Sequence, residues 1–171
     1  MTLLTTDASK QVGGFAYIDS TDVLGSIGAA VANMYSSYVY TSVVMRWLPQ
    51  VAPGVADAGA SIYIGYSDNA EHMVNTASAS VATIVAAAKT MKNAKFFNAW
   101  EQFTYNVPLT RRRKMFDVNN TPSAPRTVDE DDRCVQGIIL YGGDGLTAST
   151  ALGRWVADVV IELRELSNLT T

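Results

Sequence analysis

Apolar positions recur at every second residue in two long stretches of this chain. In the first, Val39, Thr41, Val43, Met45 and Trp47 alternate with Tyr40, Ser42, Val44 and Arg46. In the second, Trp155, Ala157, Val159, Ile161 and Leu163 alternate with Val156, Asp158, Val160, Glu162 and Arg164. A period of two, dense in β-branched and aromatic residues, predicts strands with one face on a core. Pro49, Pro53 and Gly54 close the first stretch. Shorter strands are expected over residues 15–18, after Gly13 and Gly14, and over 58–66, with Ile62 and Ile64 on one face and Tyr63 on the other. Others are expected over 96–100, 101–107 (ended by Pro108), 114–118 and 134–141. Gly142, Gly143, Asp144 and Gly145 read as a turn.

Only two segments depart from this period. Residues 23–34 form a small-residue helix that Asp22 can cap, weakened by Gly25 and Gly28. Residues 76–91 are Ala-rich and place Val81, Ile84, Val85 and Ala88 on one helical face. Residues 119–132 read as a loop ending in the acidic run Asp129, Glu130, Asp131 and Asp132. Residues 1–14 are a polar lead-in, and 15–171 form a single domain. Alternating strand–helix units are missing. The pattern therefore predicts an all-β antiparallel sandwich or jelly roll, with short helices in the connections.

Charged residues make up only 17% of the chain, below the roughly 25% usual for soluble domains. Association with copies of itself is the simplest cover for the surface that charge would otherwise occupy. The net charge of −3 excludes a chain that binds nucleic acid along its whole length. No run reaches the roughly 18 apolar residues of a membrane span, so no membrane partner is expected. Residues 1–10 lack a signal-peptide pattern. A lone cysteine, Cys134, leaves no intrachain disulfide framework.

Catalytic chemistry is scarce. His72 is the only histidine, and no Gly-x-Ser-x-Gly elbow accompanies it. A jelly-roll metalloenzyme would need clustered histidines, so no enzymatic activity is expected. Asp68 and Glu71 form a D-x-x-E pair at the end of a predicted strand. As hard oxygen ligands they suit Ca²⁺, which takes six to eight oxygens, so a second loop or chain would have to complete the shell. A solvated loop is the competing reading, as it is for residues 129–132. Arg111, Arg112, Arg113 and Lys114 are the only basic cluster. Four adjacent cations need neutralising, either by nucleic-acid phosphates or by carboxylates at a strand edge or between subunits. Trp47, Trp100 and Trp155 fall on three predicted strands, where core packing is favoured over a ligand groove.

The order of these elements resembles the shell domain of tombusvirus-like icosahedral coat proteins, a group that includes capsids of some small circular single-stranded DNA viruses. A Leu-x-x-Ile-Ala helix in that family leads through Tyr-x-x-Tyr to a strand ending aromatic-x-Pro. Here residues 24–29, 35–38 and 47–49 match. A glycine-initiated strand and an acidic loop follow, at residues 59–66 and 68–71. An aromatic-tryptophan strand (96–100), a basic segment (111–116), a Gly-hydrophobic strand (137–141) and a final Leu-Gly-x-Trp strand (152–163) complete the order.

The resemblance implies an eight-stranded antiparallel jelly roll tiling a closed shell of many identical copies around an RNA or single-stranded DNA genome. It implies a virion protein made in the host cytoplasm. It also implies intersubunit Ca²⁺ with Asp68 and Glu71 as ligands, although Glu stands at Glu71 where the family usually has Asp. Family proteins carry a long basic N-terminal arm, whereas residues 1–10 hold one cation. Many also carry a protruding domain after the shell, whereas this sequence stops at Thr171. A trimeric β-sandwich attachment or carbohydrate-recognition module is the alternative. It requires Trp47 and Trp100 to be exposed in a groove.

Overall fold

Two antiparallel sheets face each other across one core in the computed structural model, which describes residues 3–4, 12–54, 57–69, 79–110, 115–118, 133–146 and 152–166. The strands are β1 (Leu3–Leu4), β2 (Val12–Tyr17), β3 (Tyr35–Pro49), β4 (Ser61–Ser67), β5 (Lys95–Asn98), β6 (Phe103–Asn106), β7 (Phe116–Asp117), β8 (Ile138–Asp144) and β9 (Gly153–Leu166). One sheet runs β1-β9-β3-β6, and the other β2-β8-β4-β5. The two-residue β7 pairs with β3 outside this order. Each late strand is inserted between two early ones: β9 between β1 and β3, β8 between β2 and β4. Eight strands so interleaved make the expected jelly roll. Residues 3–4 and 12–14, in the expected lead-in, are strand residues of the two sheets.

The pairing of β3 with β9 is the backbone of the first sheet, running from Tyr35 opposite Leu166 to Pro49 opposite Gly153. The register shifts between Tyr40 and Ser42. One extra residue reverses which side chains face inward. Tyr38 and Tyr40 are buried before the shift, and Val43, Met45 and Trp47 after it. The alternation read from sequence, with Tyr40 on the face of Arg46, thus holds only beyond the bulge.

Helix α1 (Gly25–Ala32) precedes β3. Asp22 does not cap it. The N-cap is Leu24, without a side-chain hydrogen bond, and the Asp22 carboxylate instead accepts from the Tyr17 amide at 3.2 Å. Helix α2 (Val81–Thr90) starts at a genuine cap, where the Ser80 hydroxyl accepts from the Thr83 amide at 3.3 Å. It lies on the outer face of the second sheet and buries Ile84, Val85 and Ala88, as the helical spacing predicts. Ile84 and Ala88 pack in a second apolar cluster with Tyr17, Val135, Ile138 and Leu140. Covered on both faces, β8 reads as an unbroken apolar run instead of an alternating one.

Gly142 and Gly143 belong to β8 and not to a turn. A Cβ at Gly142 would stand 2.7 Å from Val85 Cγ2, and one at Gly143 would stand 2.9 Å from Ile62 Cδ1. Close approach of α2 on one side and of the core on the other explains the glycines, and turn geometry does not.

Two side-chain amides extend the sheets where backbone partners run out. Gln136, wholly buried, accepts from the Tyr40 amide at 2.8 Å and donates to the Tyr40 carbonyl at 2.9 Å. It does so between the segments of β3 paired with β7 and with β6. Asn93 makes the same pair of bonds to Tyr66, both at 2.9 Å. Tyrosine hydroxyls tie the same region together. Tyr38 donates to the Cys134 carbonyl at 2.5 Å, and Tyr40 to the Asp19 carbonyl at 2.8 Å. Burial, then the carboxylates of Asp19 and Asp22, push the Tyr40 phenol well above its ordinary pKa, so it remains a donor.

Candidate functional site

Asp68 follows β4 directly and is half-exposed. Its carboxylate accepts a hydrogen bond from the Thr110 hydroxyl. Thr110 immediately precedes Arg111 in the sequence. Glu71 and Arg111, Arg112, Arg113 and Lys114 lie outside the described residues, as do His72 and the acidic run 129–132. Among the described residues, no three His, Cys, Asp or Glu side chains cluster as metal ligands. The donors that Asp68 and Thr110 offer are all oxygen, which suits a hard cation and no soft one.

The remaining charges are mostly spent locally. Arg46 pairs with Asp158 at 2.8 Å, and Arg164 with Glu162 at 2.5 Å. Lys89 pairs with Asp144 and stands 4.8 Å from the centroid of the Tyr63 ring. The hydrogen bond to Asp144 raises the Lys89 pKa. Burial raises that of Tyr105, with Tyr66 adding to the effect. Both shifts carry Lys89 and Tyr105 away from neutral pH.

The tryptophans divide. Trp47 is 0% exposed and donates from Nε1 to the Ala99 carbonyl at 2.9 Å. Trp155 is buried beside it, ring centroids 5.4 Å apart, and its Nε1 has no partner among the described residues. Trp100 is at the surface, 39% exposed. The three therefore cannot line one groove. A cavity of about 260 Å³ opens between the sheets, bounded by Ala16, Leu24, Met45, Tyr141 and Trp155. Its lining is largely apolar, and Asp22 is its one carboxylate among the described residues.

Exposed apolar side chains stand out more than polar constellations do. Ile27, Val31 and Met34 project from α1 and its end, Phe96 from β5, and Val160 and Leu166 from β9. Sequence reasoning passed over Ile27 and Val31. The available signal was the absence of any charged residue between Asp22 and Arg46. No helix among the described residues is long and apolar enough to cross a membrane.

No protein-family model and no curated protein matches the sequence. Solved structures do. Cocksfoot mottle virus superposes with a TM-score of 0.76 at 14% identity, over 96% of this chain and 90% of that one. Tobacco necrosis virus gives 0.75 at 14%, over 98% and 91%. A T=1 subviral particle of a Penaeus vannamei nodavirus capsid protein deletion mutant gives 0.71 at 12%, over 98% and 94%. At such identities the likeness is one of fold. The chain has the jelly-roll shell fold of these viral structures, as the resemblance to tombusvirus-like shell domains led one to expect.

Proposed function

We propose that this protein is a viral coat protein whose copies assemble into an icosahedral shell around a nucleic-acid genome, with no catalytic role. The observation that carries this reading is the strand order, β1-β9-β3-β6 facing β2-β8-β4-β5, matched along nearly the whole chain to viral shell structures. The scarcity of charge and the apolar surface agree with a subunit covered by its neighbours. The attachment-module alternative loses its groove because Trp47 lies in the core. The protein's place is then the virion, after synthesis in the host cytoplasm. Negative-stain microscopy of the purified protein tests the proposal: closed particles are expected, and a monomer at every concentration would refute it.

Two finer readings belong to this proposal. In the first, Asp68 and Glu71 help hold Ca²⁺ between subunits, with the Thr110 hydroxyl adding an oxygen beside Asp68. Chelation near neutral pH is then expected to swell the particles, and sedimentation unaffected by chelator would remove the claim. In the second, Arg111, Arg112, Arg113 and Lys114, repeated over many copies, meet genome phosphates. Replacing all four with serine is expected to lower the nucleic acid packaged per particle, read from the ratio of ultraviolet absorbances, while thermal stability stays the same. Unchanged packaging would assign the cluster to salt bridges instead.

A further inference from the structure

Helix α1 turns its larger apolar side chains away from the core. Ile27, Ala30, Val31 and Met34 follow the i, i+3, i+4, i+7 spacing of one helical face. All four are exposed, Ile27 at 82%, Met34 at 49% and Val31 at 47%. The other side presents Gly28, Ala29 and Ala32, of which only Ala32 is buried. A surface helix ordinarily docks by its large apolar stripe and leaves small or polar residues outside. Here the arrangement is reversed.

The stripe continues beyond the helix. Tyr35, next to Met34, pairs with Leu166, which is 67% exposed. Further apolar side chains thus follow the stripe at one end of the β3–β9 pair, where a lone exposed side chain would need no explanation. The stripe's chemistry selects the occupant. No charged residue lies between Asp22 and Arg46, so α1 offers nothing to phosphates or to an anionic lipid surface. What fits is an apolar protein surface. The shell reading, supported by the likeness to a T=1 subviral particle, supplies that surface as a second copy of this chain.

We propose that the Ile27, Ala30, Val31 and Met34 stripe of α1 is a contact surface for a second copy of this chain. This inference rests on the shell reading above. It adds which face of the subunit makes a neighbour contact.

The test uses the full chain, wild type and Ile27→Asp with Val31→Asp, compared at equal concentration by sedimentation and microscopy. Hydrogen exchange of residues 25–34 is followed in the isolated wild-type subunit and in its particles. The double variant is expected to keep the wild-type thermal midpoint and to lose particle yield roughly tenfold or more. The α1 amides are expected to gain protection on assembly. Wild-type particles accompanied by equally abundant variant particles would overturn this contact alone and leave the shell reading standing. Amides of α1 equally protected before and after assembly would also overturn it, placing another part of the same chain over the stripe. A wild-type chain that stays monomeric throughout would overturn both readings. The exchange measurement needs no variant, so it decides the matter even if the aspartates impair folding.

Discussion

Trp47→Ala is expected to destabilise the isolated subunit by about 3–5 kcal/mol, the range for deleting a buried tryptophan or phenylalanine ring. Domains of this kind are stable by only about 5–15 kcal/mol in total, so the variant should sit near its unfolding threshold. The indole joins the two sheets. It stands on β3, with the Trp155 ring of β9 at 5.4 Å and the Phe97 ring of β5, in the facing sheet, at 6.0 Å. Phe97 in turn stacks on Phe103 at 4.3 Å. The backbone is shaped around this ring: a Cβ at Gly153 would lie 2.5 Å from Trp47 Cζ2 and 2.6 Å from the Leu48 carbonyl oxygen. A pocket floored by glycine and roofed by stacked aromatics cannot collapse easily, which places the cost high in the range. Trp47→Phe separates the contributions. It keeps most of the apolar volume but leaves the buried Ala99 carbonyl unpaired, for about 1–3 kcal/mol. Urea denaturation of both variants checks the pair. Losses below about 1 kcal/mol for the alanine variant would show that the ring is not the bridge described here.

The strands that were legible are those with one wet and one dry face. β9 alternates almost throughout because α2 covers only the other sheet. Ile62 and Ile64 could be placed opposite Tyr63 because they are wholly buried in the core while Tyr63, on the side of α2, is only half-buried. The bulge in β3 was not legible, because Tyr38, Val39 and Tyr40 are all suited to a strand and no residue type marks the extra position. Gly142 and Gly143 were misread because a glycine pair has two physical meanings. It marks a turn when the chain must bend and a close contact when another element presses on it, and only the positions of Val85 and Ile62 decide between them. Asp22 failed as a cap because the Tyr17 amide competes for its carboxylate, a partner set by the tertiary fold.

The surface was less legible than the core. Spacing singles out Asp68 as a candidate, but its contact with Thr110 joins positions 42 residues apart. The stripe on α1 has ordinary helical spacing. Periodicity shows that a helix has an apolar side, yet it does not tell which side the neighbouring strands will take. Ala32 takes the buried side of the helix, and this leaves Ile27 and Val31 outside.

The second large effect is expected at Gln136, where a single buried amide takes the place of a missing strand neighbour. Gln136→Met keeps the length of the side chain and removes both hydrogen bonds to Tyr40. The freed amide and carbonyl are buried at about 1–3 kcal/mol each, so a loss of about 2–6 kcal/mol is expected. Gln136→Glu makes the cause testable. A neutral carboxylic acid can donate to the Tyr40 carbonyl and accept from its amide, reproducing both bonds. An ionised carboxylate only accepts, faces that carbonyl with like charge and is desolvated. The folded-state pKa of the introduced carboxyl is therefore raised above the ordinary glutamate value of about 4.3. The folded state then holds this proton more tightly than the unfolded chain does. The deficit relative to wild type should be small below the unfolded pKa and should grow as pH rises through the folded one. Unfolding free energies of variant and wild type, compared at matched pH from acid to neutral, measure it. A deficit that does not change with pH would mean that packing around the side chain, and not its pairing with Tyr40, holds the approach to β8 in place.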